Sequence, residues 1–181
     1  MAIITKGEFS VLAQAKAGVR GKRAFVNESR MFSRSNYTTS IFLSHSHLDK
    51  NELEDGIAFL RTIGVSVYVD WMDESMPERP NGVTAQNIKS KIIQNEKFVF
   101  LATNNAVVSK WCNWEVGYGD THKYHKDCIA LLPLADNNQT WLGNEYLSIY
   151  PRIEKSVYLP DTYWVIYPNG NQELLENWLK K

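Results

Sequence analysis

Several features of specialised protein classes are scarce or missing in this sequence of 181 residues. It has only two cysteines, Cys112 and Cys128, which are too few for the disulfide framework of a small secreted domain. No apolar run approaches the ~20 residues that a membrane-spanning helix needs. The N-terminal residues also lack the apolar stretch and cleavage site of a secretory signal. These absences predict a soluble, cytoplasmic protein with reduced thiols and no membrane partner.

A net charge is also lacking, because 20 basic and 20 acidic side chains balance. A dedicated nucleic-acid binder would need a net basic surface, so we expect no nucleic acid as a partner. The balance hides an asymmetry, since residues 1–37 carry a net charge of +5 and the remaining 144 residues a net charge of −5. We therefore predict a basic helical N-terminal extension over residues 1–38 and a separate domain over residues 39–181.

The pattern of apolar residues indicates a chain of alternating strands and helices. Apolar residues make up 44% of the sequence, which is sufficient for a packed core. Short apolar runs predict strands at 41–43, 65–69, 98–101, 128–132 and 157–159, and helical spacing predicts helices at 7–20, 50–63, after Gly82, at 108–123 and at 171–180. This alternation predicts an α/β fold in which helices cover both faces of a five-stranded parallel sheet.

Two further positions mark predicted element boundaries. Asp49 is expected to cap the helix over 50–63, and Gly64 follows that helix where a positive φ is common. Residues 72–82 contain Pro77 and Pro80 and are predicted to form a loop.

Polar and aromatic side chains follow the first two predicted strands. Ser44 and His45 come directly after the first strand, and Asp70 and Trp71 come after the second. Parallel sheets bind ligands at the carboxyl ends of their strands, so these four residues are candidate binding residues.

The segment after the third strand adds a carboxylate to this set. Trp111 and Glu115 are four positions apart, so in a helix they share one face. A carboxylate beside an aromatic ring at the edge of a sheet can be partly desolvated. It then stabilises a developing positive charge more strongly than it would in water.

These segments together resemble bacterial Toll/interleukin-1 receptor (TIR) domains. Residues 41–50, IFLSHSHLDK, resemble the first conserved box, and residues 67–71, VYVDW, with the loop that follows resemble the second. Residues 109–115, SKWCNWE, resemble the helix that carries the catalytic glutamate of NAD-cleaving TIR domains. The resemblance covers about residues 40–159, and it implies a flavodoxin-like TIR fold for the predicted domain over 39–181.

The resemblance implies cleavage of the bond between nicotinamide and ribose in NAD, which is a substrate and not a bound cofactor. The nicotinamide ring of NAD is cationic and leaves as a neutral molecule, so the leaving group needs no general acid. One carboxylate that stabilises an oxocarbenium-like transition state is then sufficient for cleavage. Glu115 takes this role by resemblance, Trp111 packs against the nicotinamide or ribose, and Ser44 and His45 line the ribose or phosphate side. Asp70 and Trp71 complete the predicted NAD-binding set.

The resemblance also implies partners and a biological setting. Small bacterial TIR proteins of this kind are similar to the signal-producing component of Thoeris-type antiphage defence. There an ADP-ribose-derived nucleotide activates a separate effector protein. Self-association through TIR surfaces is expected as well, with the loop over 72–82 as a lid or assembly surface. The basic extension lies outside the resemblance, and its charge pattern indicates a packing or assembly element.

Two other functions and three possible products stay open. The chain could be a TIR interaction module without activity, or an enzyme similar to nucleoside deoxyribosyltransferases, which also use a glutamate at a sugar carbon. If NAD is cleaved, the released ribosyl group could be hydrolysed, cyclised or conjugated.

Cysteine and histidine chemistry is not expected to contribute. Cys112 has no base beside it in sequence and is expected to be a buried, inert thiol. The pairs His45/His47 and His122/His125 lack supporting cysteine or carboxylate ligands at metal spacing, so no metal site is predicted.

Overall fold

A computed structural model of the chain describes residues 2–30, 39–73 and 81–181, without the side chains of residues 28–30 and 71. The strands are β1 (Ile4–Thr5), β2 (Ser40–Ser44), β3 (Ser66–Tyr68), β4 (Lys97–Ala102), β5 (Ile129–Ala135), β6 (Arg152–Lys155), β7 (Tyr163–Ile166) and β8 (Gln172–Leu174). The helices are α1 (Lys6–Ala17), α2 (Gly21–Arg30), α3 (Lys50–Thr62), α4 (Gly82–Gln94), α5 (Asn104–Val108), α6 (Lys110–Lys123) and α7 (Leu175–Lys180).

The strands form one sheet in the order β3-β2-β4-β5-β6-β7-β8, with β1 paired beside β5. The pairings among β1 to β6 are parallel, whereas β7 and β8 are antiparallel additions at one edge. The α/β class is confirmed, but the prediction of five parallel strands is wrong. The expected strand at 157–159 is an exposed turn between β6 and β7, and the expected helix at 171–180 begins as β8.

Helices cover both faces of the sheet, as predicted. All five residues of β2 are buried, and their side chains alternate between two cores. Ile41 and Leu43 belong to the core under α1, α3 and α7, whereas Phe42 belongs to the core under α4 and α6. Strands buried on both faces read as continuous apolar runs, which is why these strands could be found from sequence.

The helix ends follow local chemistry, with one correction. Gly64 has a φ of +88° just beyond α3, in the left-handed region that favours glycine. The Asn81 side chain accepts hydrogen bonds from the backbone N–H groups of Val83 and Thr84 and so caps α4. Asp49 precedes α3, but the prediction that its side chain caps the helix is wrong, because no such hydrogen bond forms.

The basic N-terminal segment is packed against the rest of the molecule. Ile4 in β1 lies opposite Leu134 in β5. The ring of Phe9 in α1 is fully buried and meets the ring of Phe59 edge-on at 5.5 Å. Lys22 Nζ lies 2.5 Å from a carboxylate oxygen of Asp55. A basic residue of the N-terminal segment therefore pairs with an acidic residue of α3 in the acidic remainder of the chain. The division of the chain at residue 38 stays a prediction.

Parts of two predicted regions lie outside the described residues. These are residues 31–38 of the extension and residues 74–80 of the loop proposed as a lid or assembly surface. In the described part of the chain, no helix is long and apolar enough to cross a membrane.

Candidate active site

The centre of the site is a hydrogen bond between strand β2 and helix α6. Ser44 is the last residue of β2, and Glu115 lies in the second turn of α6. The Ser44 hydroxyl donates to Oε2 of Glu115 at 2.6 Å, and both residues are at least 98% buried. The Ser109 hydroxyl accepts from the backbone N–H of Cys112 and caps α6, which fixes the start of the helix that carries Glu115.

Burial dominates the electrostatics of Glu115. Desolvation raises the pKa of its carboxyl group, the nearby Asp70 carboxylate raises it further, and the result is a pKa of about 8. Side-chain hydrogen bonds from Ser44 and Trp111 act in the opposite direction, because they stabilise the ionised form. The ligand-free protein therefore holds Glu115 largely protonated at neutral pH, close to the point at which it ionises.

Trp111 gives this buried carboxyl group an aromatic neighbour that reaches solvent. Its side chain is about 38% exposed, and its ring lies 5.1 Å from the ring of Trp114. Trp114 is partly buried and packs against the core under α6. The exposed ring of Trp111 thus provides a flat surface beside Glu115 on which a planar ligand group can stack.

His45 and Asp70 lie on the other side of this strand end. The His45 side chain is 6% exposed, and its Nδ1 lies 3.2 Å from the Leu43 carbonyl oxygen and 3.9 Å from Asp70 Oδ1. Burial lowers the pKa of His45, and the Asp70 carboxylate only partly opposes this. A neutral imidazole that donates from Nδ1 to the Leu43 carbonyl accounts for this geometry.

Asp70 is the partly exposed carboxylate of the site. It begins a short 3-10 helix, Asp70–Met72, that follows β3, and its side chain is about one quarter exposed. The structure thus brings Ser44, His45, Asp70, Trp111 and Glu115 together at the carboxyl edge of the sheet. The side chain of Trp71 lies outside the described part of the chain.

Sequence reasoning missed a buried polar network that fixes the loop after β2. Asp49 is 1% exposed, and its carboxylate accepts hydrogen bonds from the Thr103 hydroxyl and from Asn105 Nδ2, the latter at 2.7 Å. Thr103 also caps α5, since its hydroxyl accepts from the backbone N–H of Ala106. The network ties the loop that carries His45 to the end of β4. Three polar residues directly after a buried strand, Thr103 to Asn105, were the available signal.

The remaining sequence predictions concern thiols and metals. Cys112 is buried, and burial raises the pKa of its thiol to about 12, so it stays protonated at neutral pH. Its Sγ lies 3.1 Å from the His45 carbonyl oxygen. Among the residues that the structure describes, no group of three or more His, Cys, Asp or Glu side chains is arranged to hold a metal ion.

Comparison with known proteins places the chain in a family. The family profile described as "TIR domain" matches residues 41–150, which is more than half of the chain and includes all the site residues named above. The chain belongs to the TIR domain family.

Two curated relatives of this TIR protein carry names that mention a reaction. One is "Probable 3' cyclic ADP-D-ribose synthase ThsB'" from Bacillus cereus (strain MSX-D12), 30% identical over 148 residues that cover 78% of this chain and 75% of the relative. The other is "Putative cyclic ADP-D-ribose synthase TIR2" from Cytobacillus dafuensis, 30% identical over 81 residues that cover 43% of this chain and 21% of the relative.

Proposed function

We propose that this TIR protein is an enzyme that cleaves the nicotinamide–ribose bond of NAD and releases an ADP-ribose-derived signal, with a cyclic nucleotide as the product. The observation that carries the proposal is the buried hydrogen bond between Ser44 and Glu115 at the carboxyl edge of the sheet. Membership of the family and the names of the two relatives support the same reaction class.

The chemistry of Glu115 suits this reaction. As the C–N bond breaks, its electron pair goes to nicotinamide, which leaves uncharged, and positive charge develops on the ribose carbon and ring oxygen. A buried carboxylate next to that carbon stabilises the charge strongly, because little water screens it. Glu115 has a raised pKa of about 8, and the positive nicotinamide ring of bound NAD would lower that pKa and so favour the ionised form.

Ser44 and Trp111 support the carboxylate in this proposal. Ser44 donates to one carboxylate oxygen, Oε2, and the Trp111 side chain also donates to this carboxylate, so the two residues hold it in place for the developing cation. Trp111, with its exposed ring beside Glu115, would stack against the nicotinamide or the ribose. Trp71 is assigned to NAD binding by resemblance alone.

A cyclic product requires a second step in which a nucleophile of the same nucleotide attacks the ribosyl cation. If that nucleophile is a hydroxyl group, a C–O bond forms and the hydroxyl proton must be accepted. We assign this role to Asp70, because it is the partly exposed carboxylate of the site. Hydrolysis differs only in that water is the nucleophile.

We further propose, on the resemblance to Thoeris-type proteins, that the product is read by a separate effector protein in antiphage defence. Self-association through TIR surfaces, aided by the basic N-terminal segment, is part of the same proposal.

Chromatography of a reaction with NAD tests the proposal directly. The full-length protein, incubated with NAD at increasing protein concentrations, is expected to release nicotinamide at a rate that rises faster than linearly if assembly completes the site. An absence of nicotinamide at every protein concentration would contradict the enzymatic proposal and favour an interaction module. Turnover of deoxynucleosides in place of NAD would favour a deoxyribosyltransferase-like enzyme.

A further inference from the structure

Three lysines that the proposed reaction does not use meet at the opposite edge of the sheet. Lys97 is the first residue of β4, whereas Ser44 and Glu115 lie at the carboxyl ends of the strands. Lys123 ends α6, and Lys126 closes the short 3-10 helix that follows it. The cluster is therefore separate from the candidate active site.

These lysines line a cavity of about 280 Å³. Lys97 is 1% exposed and Lys123 is 6% exposed, whereas Lys126 is exposed at the rim. Lys181 also lines the cavity, but its ammonium group is paired with the carboxylates of Asp127 and Glu173. Glu96 is the one acidic side chain among the described lining residues. The cavity is thus lined by an excess of positive charge.

The buried ammonium group of Lys123 has only neutral hydrogen-bond acceptors. It donates to the backbone carbonyl oxygens of Ile93, at 3.3 Å, and Asn95. Burial lowers the pKa of Lys123, and the positive charges of Lys126 and Lys97 contribute to this shift, while Cys128 and Glu96 oppose it. An ammonium group has three N–H donors, so one donor of Lys123 is not used by these two carbonyls.

Lys97 is in a similar position. Its Nζ lies 3.4 Å from the Asp127 carbonyl oxygen, 3.5 Å from Cys128 Sγ and 4.6 Å from the centre of the Trp178 ring. Within the described residues, no carboxylate forms a salt bridge with Lys97 or Lys123. The nearby Asp127 carboxylate is already engaged by Lys181 and by the Tyr167 hydroxyl.

Two buried lysines with neutral partners are an unfavourable arrangement. Removing an ammonium group from water is unfavourable unless an opposite charge or strong hydrogen bonds compensate. Bringing a third ammonium group near them adds repulsion. A small anion in the cavity would supply the missing negative charge and accept the remaining donors.

We propose that this cavity is a binding site for a small phosphate-bearing anion. Phosphate fits because it carries up to two negative charges and several acceptor oxygens that point in different directions, and lysine binds phosphate as a point charge. The volume of about 280 Å³ accommodates a free phosphate or the phosphate and sugar of a nucleotide. Lys126 at the rim and Lys123 inside would contact the anion directly.

Calorimetric titration of the full chain in a phosphate-free buffer tests this site. Inorganic phosphate and AMP, used as separate titrants, distinguish a free phosphate from the phosphate of a nucleotide, and saturable binding of either supports the site. Lys126→Met should weaken that binding about tenfold, because it removes one charge-assisted contact. Lys50→Met is the matched control, since Lys50 is exposed and lies outside the cavity, and it should leave the affinity unchanged.

Two results would overturn the proposal. One is no saturable binding of either titrant at millimolar concentration. The other is binding that Lys126→Met and Lys50→Met leave equally tight. Lys123→Met probes the buried donor in the same way. If that variant does not fold, the thermal stability of the wild type decides, because an anion that binds only the folded protein raises the melting temperature progressively once its concentration exceeds the dissociation constant.

Discussion

Ser44 and Glu115, which are 71 positions apart in the chain, share a 2.6 Å hydrogen bond at the carboxyl edge of the sheet. The bond joins the last residue of a buried strand to a carboxyl group that is 2% exposed. A buried carboxyl group in a structural role is costly, since its charged form is desolvated. We therefore expect this pair to serve the reaction on NAD, and the first prediction concerns it.

Glu115→Gln should abolish most of the activity while preserving the fold. The amide has nearly the same shape and can still accept from Ser44, but it cannot offset a positive charge on the ribose. We expect nicotinamide release to fall at least about a hundredfold. Glu176→Gln is the control, since Glu176 is an exposed residue of α7, and it should keep wild-type activity. Comparable rates for the two variants would exclude Glu115 from the chemistry.

Ser44→Ala should move the pH dependence of the reaction. The Ser44 hydroxyl stabilises the ionised form of Glu115, so its removal raises the pKa of Glu115 above about 8. The wild-type kcat/KM should rise with pH through about 8, and the variant should rise at a higher pH with a value about tenfold lower near neutrality. Ser46→Ala is the control, because Ser46 is buried in the same loop but bonds to the Leu48 backbone. An unshifted profile in Ser44→Ala would refute the assigned role.

The raised pKa of Glu115 also predicts how stability depends on pH. Because the folded protein holds the proton more tightly than the unfolded chain, the stabilising contribution is fully present below the ordinary pKa of 4.5 and is lost as pH rises to about 8. Thermal unfolding at several pH values should show the wild type losing stability relative to Glu115→Gln across this window. Parallel curves for the two proteins would mean that Glu115 ionises freely in the folded state.

Phe9→Ala tests how strongly the N-terminal segment is attached. Phe9 is fully buried against Phe59, so the substitution should lower the free energy of unfolding by about 3 kcal/mol. Val11→Ala in the same helix is the control, since Val11 is 73% exposed and should change stability little. Urea unfolding measures both variants. Equal stability would support an extension that is independent of the domain over 39–181, as the sequence predicts.

Much of the site could be predicted because it depends on strand order. Ser44, Asp70 and Trp111 follow apolar runs, and the carboxyl ends of parallel strands meet at one edge of the sheet. The network of Asp49 with Thr103 and Asn105 could not be predicted in the same way, because local sequence does not distinguish a capping aspartate from one that bonds to residues after the neighbouring strand β4.

Strands β1 and β8 were not predicted from the sequence for a different physical reason. β1 contains two residues, and β8 contains three residues that are not fully buried, so neither produces an apolar run. Both are defined by their pairing with β5 and β7, which is a tertiary property. The apolar residues at 157–159 misled the strand prediction because they are exposed in a turn.

Mass spectrometry of the nucleotide made from NAD tests the central claim most directly. The wild type should yield nicotinamide together with a nucleotide lighter than ADP-ribose by one water, the mass of a cyclic product, and Glu115→Gln should yield neither. Release of ADP-ribose in place of the lighter nucleotide would support NAD cleavage but show that the product is hydrolysed and not cyclic. Equal amounts of nicotinamide from the wild type and Glu115→Gln would contradict the account.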